Sequence, residues 1–126
     1  MDNNSSMLAY GFSDEENQVL NSLCREESLN FKIIKNTMAN MKVKDIVSGL
    51  MIEVYDKEMP EEKAILFNNI EDHKLEKLIS RIRANENLGC ILAVVTKTSK
   101  EWTFKELLIE LLREREWYRK NSNKRA

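Results

Sequence analysis

Five consecutive residues carry polar chemistry in a place where it could act: Thr96-Lys97-Thr98-Ser99-Lys100. Three hydroxyls and two ammonium groups stand just before Trp102-Thr103-Phe104-Lys105-Glu106-Leu107-Leu108. That second stretch has the pattern of a helix start. Free amides and the helix dipole favour anions at such a place, so a phosphate or a carboxylate is the ligand this arrangement would take. The competing explanation is a solvated loop whose hydroxyls bond their own backbone. No glycine-rich phosphate loop or dinucleotide fingerprint accompanies the five residues.

The same phrase occurs sixty-one residues earlier, as Lys35-Asn36-Thr37 through Met41, Val43, Lys44, Asp45 and Ile46-Val47. Asn36 and Thr37 therefore join Thr96 to Lys100 as candidate ligand residues. Around the phrase, each half of the chain repeats one order of elements. In the first half, Met7-Leu8-Ala9-Tyr10 predicts a strand and Gly11-Phe12 a turn. Ser13 with Glu16 forms a capping box before a helix with Val19, Leu20, Leu23 and Cys24 inside. Phe31 to Ile34 predicts a second strand, with Lys32 marking a sheet edge. A stripe at Val43, Ile46, Val47, Leu50, Met51, Val54 and Tyr55 predicts a helix that tolerates Gly49 and ends before Pro60.

The second half follows suit. Ala64 to Phe67 predicts a strand, Asn68-Asn69 a turn, and Leu75, Leu78, Ile79 and Ile82 a helix face. Cys90 to Val95 predicts a strand covered on both faces, and Phe104, Leu107, Leu108, Leu111 and Leu112 a last helix. Thr103 with Glu106 is a second capping box, with Trp102 and Leu107 as its hydrophobic staple. The first copy keeps the staple in Met41 and Ile46 but has Lys42 in the capping position, so its helix start should fray more.

The expected fold is a small α/β domain of two β-α-β-α repeats, residues 7–59 and 64–120, between disordered tails at 1–6 and 121–126. About four mainly parallel strands carry helices packed on the sheet. The loops that follow parallel strands would gather at one edge, which would bring together Gly11, Ser13, Asn36, Thr37, Asn68, Asn69, Thr96, Thr98 and Ser99; if the halves are instead related by a two-fold normal to the sheet, these loops split between opposite edges.

Composition sets the wider bounds. A chain of 126 residues, 42% apolar and 33% charged, suits a single globular domain. No apolar run reaches the roughly 20 residues of a membrane span, and no leader is recognisable, so a cytoplasmic location without membrane contact is expected. Cys24 and Cys90 lie far apart and read as buried, inert thiols. His73 is the single histidine and reads as a surface helix residue. Asp14-Glu15-Glu16 and Glu61-Glu62 read as carboxylates favoured in first turns of helices. No catalytic signature, metal set or cofactor motif occurs, so neither a metal nor a cofactor is expected.

Residues 1–63 hold 7 Lys and Arg against 12 Asp and Glu, a net of −5; residues 64–126 hold 13 against 9, a net of +4. Halves of opposite sign would attract one another or a second copy head to tail; the competing explanation is drift on a solvated surface. The end of the chain, Arg113 to Lys120, interleaves both signs around Trp117-Tyr118, so nucleic acid is not an expected partner.

The stretch Ile65 to Leu108 resembles a small bacterial family catalogued as a domain of unknown function. Its members show an apolar strand, a turn and helix of the N-G-F-S-D-E type, a strand ending in a T-P-T-like loop, then W-T-[LF]-K-E-L-L. Here the tail of that pattern is Thr96-Lys97-Thr98 with Trp102 to Leu108. The turn departs from it at Asn69-Ile70-Glu71-Asp72, and the better turn is Gly11 to Glu16 in the first half. The resemblance implies a fold and supplies no catalytic residues. The function expected is a non-enzymatic protein-interaction or self-associating domain, with a homo-oligomer or another protein as partner. The alternative is a small-molecule or phosphate-type anion-binding domain using Thr96, Lys97, Thr98, Ser99, Lys100, Asn36, Thr37 and Asn69. An enzyme is a third option without a named nucleophile.

Overall fold

A computed structural model describes residues 5–50, 59–85 and 89–123. The first half runs through β1 (Ser6–Tyr10), α1 (Asp14–Glu26), β2 (Asn30–Ile34) and α2 (Val43–Val47). The second runs through β3 (Ala64–Asn68), α3 (Asp72–Ala84), β4 (Ile91–Val94) and α4 (Phe104–Asn123). The strand order is β2-β1-β3-β4. β1 pairs with β2 and β3 with β4 in parallel, each across a helical crossover, while β1 and β3 pair antiparallel. The domain is α/β with a mostly parallel sheet, as the sequence predicts. Ser6, expected in the tail, is the first residue of β1 and is buried.

The side-chain alternation of the two central strands divides the core into two layers. Met7, Ala9, Ile65 and Phe67 pack under Leu20, Leu23 and Cys24 of α1 and Leu78 and Ile82 of α3. Leu8, Tyr10, Ala64 and Leu66 face the other way, under Val43, Ile46 and Val47 of α2 and Phe104, Leu107 and Leu108 of α4. Burying each large apolar side chain is worth about 1.5–3 kcal/mol, so both layers contribute strongly.

By the order and sense of their strands, the halves are arranged about an approximate two-fold axis normal to the sheet. Leu8 lies opposite Leu66, its counterpart in the other half. On the α2/α4 face, Lys42 bridges to Thr103, again its own counterpart. The Val43 amide donates to the Trp102 carbonyl, and the Phe104 amide to the Met41 carbonyl, both at 2.9 Å. The stretches 41–43 and 102–104 are thus paired with each other near that axis.

Local devices behave as their sequences predict at three helix starts. Ser13 and Glu16 exchange both capping-box hydrogen bonds, and so do Thr103 and Glu106. Lys42 makes no side-chain cap. Thr103→Ala should therefore cost about 1 kcal/mol. Lys42→Ala should change stability by only a few tenths, because its ion pair with Glu101 is exposed. Paired denaturant titrations check the contrast.

Val19, expected inside α1, is exposed. Two further sequence expectations need correction. Gly49 does not ride within a long helix; it ends α2. At φ +93° it takes the left-handed conformation. The Leu50 amide donates to the Asp45 carbonyl and the Gly49 amide to the Ile46 carbonyl, which together make a Schellman cap. Leu50 is consequently exposed, and Met51, Val54 and Tyr55 lie outside the described residues. The second correction concerns Cys90 to Val95. β4 is an edge strand that is only partly covered, whereas the strands buried on both faces are β1 and β3. β2 is the other edge, as Lys32 predicts, and its ammonium reaches the Val47 carbonyl at the C-terminal end of α2.

Candidate functional site

The antiparallel join at the centre decides where the candidate residues go. Loops that follow β1 and β2 leave one end of the sheet, and loops that follow β3 and β4 leave the other, about 16 Å away along a five-residue strand. Gly11, Ser13, Asn36 and Thr37 start from the first end; Asn68, Asn69 and Thr96 to Lys100 start from the second. The single ligand edge expected from parallel strands is therefore divided in two. The phrases meet instead in the middle of the α2/α4 face, where Lys42 and Lys44 flank Glu101, with Lys44 at 3.1 Å.

Two of the three hydroxyls of the five-residue cluster bond to each other, Thr96 Oγ1 donating to Ser99 Oγ at 3.1 Å. The Thr96 amide donates to Ser99 Oγ at 2.8 Å, and the Ser99 amide to Thr96 Oγ1 at 3.0 Å. Ser99 is buried, while Thr96, Lys97, Thr98 and Lys100 are exposed. This closed pair shapes the short 3-10 turn Ser99–Glu101 that leads into α4. Asn69 sits at φ +54° in the turn after β3, and its carbonyl accepts from Ser5 Oγ. Ser13 is engaged in capping α1.

At the first end lies a cleft of about 500 Å³ lined by Tyr10, Gly11, Asn36, Met59, Pro60, Glu61, Glu62, Lys63 and Gly89. Of the sequence candidates, only Gly11 and Asn36 line it. The segment Met59 to Lys63 was missed because Glu61-Glu62 reads as a helical first turn. In the structure these residues form an irregular approach to β3. The Tyr10 hydroxyl donates to the Pro60 carbonyl at 2.9 Å. Gly11, at φ +87°, lies so close to the Glu62 carbonyl that a Cβ there would stand 2.0 Å from its oxygen. No local pattern signals such a long-range approach.

Two charged groups of the cleft, Glu62 and Lys63, are paired. Arg115 of α4 grips Glu62 through two hydrogen bonds of 3.0 Å. Lys63 pairs with Glu16 at 2.5 Å and lies over the Phe12 ring. The Arg115 guanidinium holds the Glu62 carboxyl below the usual carboxylate range. Its folded pKa is thus below its unfolded one, near 4.3. The stabilisation is present above that value and is lost as pH falls through the folded pKa. Glu62→Gln should lower stability at neutral pH and reduce the further loss between about pH 5 and pH 3. Denaturant midpoints of both proteins across that range check this.

Burial pushes the Cys24 thiol up to about 12 and the Cys90 thiol up to about 11. Both stay protonated at neutral pH and are poor nucleophiles. His73 is exposed in the first turn of α3. Among the described residues no three His, Cys, Asp or Glu side chains cluster as a metal site would require, and no helix is long and apolar enough to cross a membrane.

No curated protein and no solved structure matches the chain. One β-α-β-α half does find a counterpart: residues 63–118, from the approach to β3 into the last turns of α4, match the family described as Domain of unknown function (DUF3783).

Proposed function

We propose that the protein is a non-enzymatic interaction domain, built as an internal repeat of that unit, which self-associates or binds a protein partner. The observation that carries this reading is the placement of large apolar side chains outside the core. Ile33 and Val94 on the two edge strands are 49% and 52% exposed, and Trp117 and Tyr118 on α4 are 59% and 65% exposed. The α4 core stripe ends at Leu112, so the two rings, edge to face at 5.1 Å, are displayed beyond it. Apolar surface of this kind marks contact sites on proteins. Sedimentation velocity over a hundredfold range of concentration and at two salt levels tests self-association. A concentration-dependent mass supports it; a strict monomer throughout removes it.

A second reading draws on the cleft. Its volume suits a small molecule, and it contains the exposed Asn36 and Glu61. The exposed Glu61 carboxylate favours neutral or cationic ligands over phosphate. Thermal-shift screening that includes phosphates, nucleotides and amines distinguishes the classes. No shift with any of them counts against binding.

A further inference from the structure

We infer that the outer edge of β4 is where a second copy of this chain adds, antiparallel, so that two four-stranded sheets become one of eight. The inference rests on the self-associating reading above and names its surface.

The backbone is arranged for it. The Ile91 amide donates to the Lys63 carbonyl and the Val95 amide to the Phe67 carbonyl, both at 2.9 Å. Odd-numbered residues of β4 therefore bond to β3. Leu92 and Val94 aim their amides and carbonyls away from the sheet. Their side chains lie on the α3 face, where Leu92 and Ile79 are only partly buried and Val94 is half exposed. The edge is uncharged from Cys90 to Val95. Natural edge strands are commonly protected by charge, as β2 is by Lys32.

The flank of α3 supplies complementary charge for a second copy. One side of α3 faces α1: Lys74 reaches the Glu27 carbonyl, Lys77 pairs with Glu27, and Arg81 with Glu26. Leu75, Leu78 and Ile82 face the sheet. At 100° per residue the remaining flank, above the β4 edge, carries Glu76 and Arg83 on either side of Ile79. Both are exposed. A two-fold axis through the β4 edge sets two α3 helices antiparallel. Glu76 of each copy then meets Arg83 of the other, twice per dimer. The corresponding flank of α1 offers Gln18 and Arg25, which are not complementary, so β4 rather than β2 is the matching edge. The chain already uses this architecture within itself: β1 and β3 pair antiparallel while α1 and α3 are joined by Glu26–Arg81 and Glu27–Lys77.

Sedimentation equilibrium on the full chain and on four variants tests the surface. Glu76→Arg and Arg83→Glu should each weaken dimerisation roughly tenfold, because each places two like-charge contacts in one interface. The double variant restores opposite charges and should recover the original constant to within about threefold. Val94→Lys should weaken association by at least about tenfold, by charging the edge. Thermal melts confirm that each variant folds. If the unaltered chain dimerises but the single variants leave the constant unchanged, or the double variant does not recover, the inference is wrong and the self-associating reading survives with another surface. If the unaltered chain is monomeric at every concentration, both fall.

Discussion

Replacing Phe104 with alanine is expected to cost about 3–5 kcal/mol of folding stability. Phe104 is fully buried and is the first residue of α4. Its ring packs on Tyr10 of β1 with centroids 5.0 Å apart at 59°, so it joins the second half to the first. Its amide donates to Met41, beside the axis. Truncation leaves a cavity where the halves meet, and neither half can close it without moving the other. A domain of this size has about 5–15 kcal/mol in total, so the loss is a large share of it. The counterpart, Val43, is equally buried but smaller, and Val43→Ala should cost about 2 kcal/mol. Urea midpoints with unchanged slopes measure both. A Phe104→Ala loss below about 1 kcal/mol would show that the junction is not close-packed.

Gly11→Ala is the second large effect, at about 3 kcal/mol or more. Two penalties combine. A residue with a Cβ at φ +87° costs about 1–2 kcal/mol. The new methyl would also stand 2.0 Å from the Glu62 oxygen, and backbone cannot rotate aside as a flexible side chain can. The approach to β3 must shift, and with it the Glu62–Arg115 pair that ties α4 to the cleft. Gly49 is the control: φ is +93° there, but among the described residues no atom lies within 4 Å of where a Cβ would stand. Gly49→Ala should cost about 1 kcal/mol, from conformation alone. Calorimetry on both variants separates strain from close approach. Equal losses would sink the claim that Gly11 is held against Glu62.

Some of this was legible locally. The capping boxes at Ser13/Glu16 and Thr103/Glu106 involve residues three apart, and a helix start needs little else. The uncapped start at Lys42 was equally plain. The apolar stripe through Val43 to Tyr55 misled, because a glycine in a periodic pattern reads as a weak helical residue until its hydrogen bonds are seen. At Gly49 the Schellman bonds win. The cluster Thr96 to Lys100 attracted a ligand reading by residue type alone; the reciprocal Thr96–Ser99 bonds, a matter of χ angles, show what two of its hydroxyls do. Ion pairs between the halves run in both senses: Lys42 and Lys44, bases of the first half, join Glu101 of the second. Glu26–Arg81, Glu27–Lys77 and Glu62–Arg115 all join an acid of the first half to a base of the second.

The sequence by itself determined the order of elements, the capped helix starts and most of the residues of the two core layers. Each follows from spacing over a few residues. Only the tertiary structure decided the sense in which β1 meets β3. A strand's alternation of inward and outward side chains is the same read in either direction. The pattern of Met7 to Tyr10 against Ala64 to Phe67 therefore buries as well parallel as antiparallel. With the antiparallel choice, the loops part to opposite ends of the sheet, the stretches 41–43 and 102–104 close on each other near the axis, and β4 is left at the edge.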